Sequence, residues 1–343
     1  MSRILIGMLM LASIMSWSFF AYALQEDHQD LKGPAFSNPD EIMEMPERWI
    51  KQKIKHDPSS GKADIVITVN QNYFEIVEPI IGTYEKKHGL HIVLHKGTCG
   101  ISAGMLSNKT ADIGGFCCPP GRTDRLPGLK FHTLGIVALA IIVHPNNPVE
   151  DITLKQARQI FMGEIYRWSE LGRSQGRELP NLPIQPVGRL HCKLRSGHWR
   201  GLLDNEDLFS PGIVEVGAIP DMISQVAENE NAIGFETISM IRHLRDKGRV
   251  KILKISGNDP ANESDLISGK YPLYRVYNIT TWEGGGVENP YAANLVKHLL
   301  KEMKTVDSEF GMVPAFRLRK AGWLFKNGTG WKFRDNELIG EPH

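Results

Sequence analysis

The chain has 343 residues, 41% of them hydrophobic, and its 40 Lys and Arg face 39 Asp and Glu for a formal charge of +1. That balance removes the electrostatic argument for a nucleic-acid partner or an acidic membrane surface, so any charge recognition has to be local. Four cysteines, Cys99, Cys117, Cys118 and Cys192, are too few to build a disulfide scaffold of this length.

At the N-terminus Ser2-Arg3 precedes an apolar run, Ile4 to Phe20, and Ala21-Tyr22-Ala23 supplies the small-x-small pattern of a signal-peptidase site. Residues 1–23 read as a cleaved signal peptide. The run is short for a ~20-residue span, and Gln25-Glu26-Asp27 stands where a stop-transfer segment carries basic residues. What remains is long enough for two α/β lobes of ordinary domain size.

Residues 24–60 are polar, contain prolines and read as an N-terminal extension, with one short helix expected around residues 46–53. Ala63 to Val69 is a β-branched strand, followed by the polar loop Asn70-Gln71-Asn72 and a helix from about Phe74 to Lys87. The next strand, His91 to His95, runs into Lys96-Gly97-Thr98-Cys99-Gly100-Ile101-Ser102-Ala103-Gly104. A strand entering a Gly/Ser/Thr turn that opens a helix offers unpaired N–H groups and the positive end of a helix dipole to an anion.

Thr110 to Phe116 predicts a short strand that ends in Cys117-Cys118-Pro119-Pro120. Leu134 to Val143 suits a strand buried on both faces, and His144 to Pro148 then breaks the pattern as a crossing between lobes. A helix starts near Thr153, and Leu182 to Arg189 is a strand leading to a turn. Ala232 to Phe235 and Val250 to Leu253 are further strands. Tyr271 to Tyr277 returns to the first lobe, and the last helix covers about Tyr291 to Met303. The expected division is lobe 1 at 61–144 plus 271–315, lobe 2 at 145–270, and a C-terminal tail at 316–343 packed on the surface with Trp323 and Trp331.

Four cysteines allow three pairings. Cys117 and Cys118 are poorly placed to bond each other, because neighbouring Cα atoms lie ~3.8 Å apart and disulfides usually span ~4.4–6.8 Å. His132, His144 and His243 fall in no metal-ligand spacing and read as packing or surface residues. A cysteine-dependent enzyme with His191 or His198 as base is chemically conceivable. No nucleophile elbow or triad order accompanies these residues, so no catalytic residue is assigned.

The order of these pieces over residues 63–315 resembles the phosphate-type periplasmic solute-binding proteins, whose fold is the class II periplasmic binding fold. The motifs that carry it are Thr98 to Gly104, Ala111-Asp112-Ile113-Gly114, Leu139 to Pro148, Ile160-Phe161-Met162-Gly163-Glu164-Ile165-Tyr166-Arg167-Trp168, Val187-Gly188-Arg189, Ala232 to Phe235 and Tyr271-Pro272-Leu273. The resemblance implies a two-lobed α/β protein with a ligand cleft between the lobes, exported to the periplasm. It would be a monomer without a cofactor, handing phosphate or a related oxyanion to a membrane permease of an ABC importer or to a sensor receptor. The ligand residues it implies are Asn70, Gln71, Thr98, Cys99, Gly100, Ile101, Ser102, Cys117, Arg189, Arg195, Ser196, Gly197 and His198.

The departures from the family pattern fall on the ligand loops. The usual Arg-x-x-Gly-Ser-Gly-Thr loop is longer here and ends in His198, Cys99 sits inside the helix-opening loop, and the family's Ser or Asp contact falls close to Cys117. An alternative follows: Cys99, Cys117, Cys118, His191 and Cys192 hold a thiophilic ligand, a soft metal or metalloid such as copper or arsenite. An oxidised cysteine pair that merely fixes loops is the competing reading.

Overall fold

The computed structural model describes residues 36–190, 201–203, 206–284, 286–306, 310–326 and 337–342. In chain order the elements are α1 (Glu47–Ile50), β1 (Ile65–Asn70), α2 (Phe74–His88), β2 (Ile92–Gly97), α3 (Cys99–Ser107), β3 (Ile113–Phe116), β4 (Leu129–Val143) and β5 (Asp151–Ile152). Next come α4 (Leu154–Met162), α5 (Trp168–Ser174), β6 (Gln185–Gly188), β7 (Val214–Glu215), α6 (Ile219–Glu228), β8 (Ala232–Thr237), α7 (Ile238–His243), β9 (Lys251–Ile252), β10 (Lys254–Ile255) and α8 (Glu263–Ile267). The chain then forms β11 (Tyr274–Trp282), α9 (Pro290–Glu302), β12 (Met312–Pro314), α10 (Ala315–Lys320), β13 (Leu324–Lys326) and β14 (Glu337–Gly340).

The β-branched residues of β1 are buried along its whole length, as a parallel strand covered on both faces requires. It pairs in parallel with β2 on one side and β3 on the other. The intervening helix α2 buries Ile76, Val77, Ile81 and Tyr84, a helical spacing, and ends where Gly89 takes a left-handed φ of 63°. The order across the main sheet is β2-β1-β3-β11-β4-β8-β6-β7, with β12 and β9 also pairing with β4.

Two apolar cores flank this sheet. One gathers β1, β3, α2, α3 and α9 through residues such as Ile67, Leu106 and Leu295; the other gathers α4, α6, β8 and their neighbours through Phe161, Met222 and Phe235. β4 serves both. Over Leu129–Ala138 it pairs antiparallel with β11, and over Leu139–Val143 with β8. β11 likewise sends Tyr274 and Val276 to one core and Ile279 and Trp282 to the other.

Three sequence expectations change. Ahead of the expected crossing at 144–148, β4 already changes partner from β11 to β8, because an uninterrupted apolar run needs no turn to do so. The same strand begins five positions earlier than expected, at Leu129 rather than Leu134. Its polar residues His132 and Thr133 are buried against Thr281 Oγ1 and Asn278 Oδ1, each at 2.7 Å. Finally, the described parts of the C-terminal segment enter the core rather than lie on the surface, while Trp331 falls outside the described residues. Leu318, Trp323 and Leu338 are buried in the second core, and Glu337 forms a buried ion pair with Arg125 at 2.6 Å.

The N-terminal extension also packs inward. Lys109 is buried, and its ammonium donates to the carbonyls of Trp49, Ile50 and Gln52 at 2.7, 3.2 and 2.6 Å while lying 4.1 Å over the Trp49 ring. Unpaired backbone carbonyls are costly inside a protein, so one charged side chain at this point secures the whole passage.

Candidate functional site

The carboxyl ends of β1, β2 and β3 lie side by side, and the residues that follow them come together there. Asn70 ends β1, Thr98 caps α3 immediately after β2, and Cys117-Cys118 follow β3. Thr98 Oγ1 accepts from Ile101 N at 3.3 Å, the capping geometry that a Thr before a helix supplies. Cys99 is therefore the first residue of α3, buried, and aimed at Cys117.

Three sulfurs meet at this point. Cys99 Sγ is 3.1 Å from Cys117 Sγ and 3.9 Å from Cys118 Sγ, and all three lie within 4.8 Å of one another. Asn70 Nδ2 donates to Cys99 Sγ at 3.3 Å and the Cys117 backbone N–H donates to it at 3.2 Å. The thiols are free, with Cys99 and Cys117 buried and Cys118 partly so.

Arg275, buried on β11, reaches the same place. Its Nη2 donates to Cys117 Sγ at 2.6 Å and its Nε to Cys117 O at 3.1 Å. Sequence reading missed this residue because it sits within Tyr271 to Tyr277, a segment read for its apolar strand character. The available signal was a lone arginine inside a run otherwise fit for a buried strand.

Burial opposes ionisation of Cys117, yet its hydrogen bonds with Cys118 and Cys99 and the positive charges of Arg275 and Arg189 outweigh that and hold its pKa well below the usual thiol value. Cys99 is pushed well above that value, first by its hydrogen bond to Cys117, then by that to Cys118 and by burial. Cys118 is pushed up to about 12, chiefly through its hydrogen bond with Cys117. Of the three, Cys117 is thus the sulfur most favoured to ionise, beside the Arg275 guanidinium, while Cys118 Sγ donates to Cys99 Sγ.

From the other core, Arg189 follows β6 and is buried, with its Nη1 3.6 Å from Glu236 Oε2. Glu236, on β8, also accepts from Thr237 N at 2.8 Å. Asn70, Thr98, Cys99, Cys117 and Cys118 thereby stand together at the ends of neighbouring strands, and Arg189 is near enough for its charge to act on Cys117. Other predicted residues behave differently. The hydroxyl of Ser102 donates to Gly115 O at 2.8 Å and so ties α3 to β3, and Ile101 and Gly100 are exposed. Gln71 is held by its backbone N–H to Gly97 O at 2.9 Å. His191, Cys192, Arg195, Ser196, Gly197 and His198 lie outside the described residues. A cavity of about 490 Å³ lined by Ile238, Arg242, Glu263 and Met312 shares no residue with this cluster.

A sheet of this order, divided between two cores that two long strands share, with polar groups gathered at the strand ends, defines a two-lobed solute-binding fold. The chain belongs to the PBP superfamily: the model of the PBP superfamily domain matches residues 56–302. The resemblance drawn from motif order holds at the level of family and fold.

Among curated relatives, the phosphate-binding protein PstS of Pseudomonas aeruginosa is 24% identical over 155 residues, 41% of this chain and 46% of that protein. PstS of Bacillus subtilis is 27% identical over 183 residues, 53% of this chain and 54% of that protein. The chain therefore spans about half the length of the curated relatives it matches. Among solved structures, an ABC-type phosphate transport receptor from Vibrio cholerae superposes with a TM-score of 0.60 at 20% identity, covering 73% of this chain and 99% of that one. A Clostridium perfringens chain with bound phosphate, assigned to the substrate-binding proteins of phosphate ABC transporters, gives 0.62 at 20% identity over 73% and 99%. At this identity the structures establish the shared fold.

Proposed function

We propose that this chain is a periplasmic solute-binding protein that captures a small oxyanion, phosphate or a close relative, between its lobes and presents it to a membrane permease of an ABC importer. One observation carries the reading. Arg275 is buried beside the turn after β3, and its Nη1 finds no acceptor among the described residues. A buried guanidinium N–H without a partner costs free energy, and an oxyanion is the acceptor whose charge and geometry match it. Arg189, whose charge reaches Cys117 although it is paired with Glu236, and the opening turn of α3 add positive potential nearby. The names of the curated relatives point the same way.

Binding, rather than turnover, is the activity assigned. Export rests on the sequence of residues 1–23, which lie outside the described part, and none of the described helices is long and apolar enough to cross a membrane. Thermal unfolding of the mature chain against phosphate, arsenate and sulfate tests the reading. Saturation to 100 times the dissociation constant should add ~2.7 kcal/mol of stability. No shift with any oxyanion, in protein shown to be folded, would sink the proposal.

A further inference from the structure

The three sulfurs of Cys99, Cys117 and Cys118 form a second kind of site, and we infer that it takes a single soft monovalent cation of the copper(I) type. The inference goes beyond the oxyanion reading and does not depend on it.

The geometry comes first. A planar three-coordinate centre with bonds of ~2.3 Å to sulfur holds its ligands ~4.0 Å apart. Cys118 and Cys99 already stand at 3.9 Å, and Cys99 and Cys117 at 3.1 Å need to part by under an ångström. Among the described residues no fourth His, Cys, Asp or Glu joins the group, which suits an ion content with three ligands better than zinc, whose structural sites are tetrahedral. Thiolate sulfur is the donor that soft cations prefer over oxygen and nitrogen.

The sulfurs are also held from outside. Asn70 Nδ2 and the Cys117 N–H point at Cys99 Sγ, and Arg275 Nη2 points at Cys117 Sγ. Such contacts orient ligands before an ion arrives. They answer the charge question too. Three thiolates around a monovalent cation carry two negative charges, and the buried guanidiniums of Arg275 and Arg189 lie close enough to act on Cys117. The step balances without an oxidant: three metal–sulfur bonds form, and each ligand that enters as a thiol breaks its S–H bond and gives its proton to solvent.

The test uses the full exported chain, reduced and anaerobic, with copper(I) delivered in competition with a bicinchoninate chelator. The expected result is one copper(I) per chain, protons released on binding in weak buffer, and an ultraviolet sulfur-to-metal charge-transfer band. Cys99→Ser, Cys117→Ser and Cys118→Ser should each weaken binding at least tenfold, with circular dichroism confirming the fold. Cys118 is only partly buried, so its variant guards against a folding artefact. Copper(I) binding that all three variants retain overturns the site, as does tighter binding of zinc or arsenite than of copper(I). A Cys99–Cys117 disulfide in chain isolated under thiol-trapping conditions overturns it as well. Phosphate titrated into the same preparation reports on the oxyanion reading separately, so one can fail while the other stands.

Discussion

Arg275 and Cys117 form the most consequential contact in the site, because each supplies what the other's burial removes. A buried guanidinium needs a counter-charge and a buried thiolate needs a cation, and here one hydrogen bond of 2.6 Å provides both. Arg275→Gln should therefore destabilise the chain by about 3 kcal/mol, the lower end of the cost of breaking a buried pair. The effect should depend on pH in one direction. A thiol whose pKa is lowered on folding favours the folded state above the ordinary thiol pKa, and that contribution fades as pH falls through the lowered value. The gap between parent and variant should accordingly be widest in alkaline buffer and narrow on acidification, read from denaturant midpoints at several pH values. A gap that widens with acid would reverse the assignment of the charge. The sequence made the cysteines legible because they interrupt recognisable motifs at Thr98 to Gly104 and after Ala111-Asp112-Ile113-Gly114. It hid the role of Arg275, since a lone arginine in an apolar run does not say which residue 158 positions away it pairs with.

The elements were read best where periodicity is strong and worst where polar residues are buried. The helix expected over 74–87 is found at Phe74–His88, for its apolar positions recur at helical spacing and Gly89 ends it. The first third of β4 was missed because His132 and Thr133 bond to Thr281 and Asn278 of β11 rather than to solvent. The strand that presents Cys117 depends on a detail of the same kind. A Cβ on Gly115 would collide with the Tyr73 hydroxyl and stand 2.9 Å from Val69 Cα. Neither neighbour is free to yield: Tyr73 donates to Asn278 O at 2.8 Å and stacks on Tyr277 at 5.0 Å between centroids. Gly115→Ala should thus cost about 1–3 kcal/mol and shift β3 away from β1, carrying the Cys117 turn with it. Thermal melts give the first quantity, and faster alkylation of Cys99 and Cys117 by a small iodoacetamide reports the second. Unchanged melting together with unchanged thiol protection would show that the sheet absorbs the methyl without moving the site.

At the scale of the molecule, the sequence conveyed the two-lobed plan but not how the chain's end is used. Residues past the last recognised motif offer only scattered aromatics, and nothing local says that they enter a core. Yet β14 brings Leu338 into the second core, and its backbone N–H reaches Thr133 Oγ1 on β4 at 2.9 Å. Glu337 on the same strand receives both terminal nitrogens of Arg125, at 3.1 and 2.6 Å, from the segment that joins β3 to β4. The C-terminus therefore fastens the strand that both cores share. A chain ending at Lys326 would lose β14 and leave the Arg125 guanidinium buried without its carboxylate, a defect that costs about 3–5 kcal/mol in comparable pairs. Because β4 belongs to both cores, the loss should lower the single cooperative transition of the whole chain rather than split off one lobe. Glu337→Gln isolates the charge from the packing: it keeps Leu338 in place and should recover part of the truncation's effect. Calorimetry decides between these. One transition displaced downward supports the shared-strand account, whereas two separated transitions would mean that the C-terminal segment stabilises its own core alone.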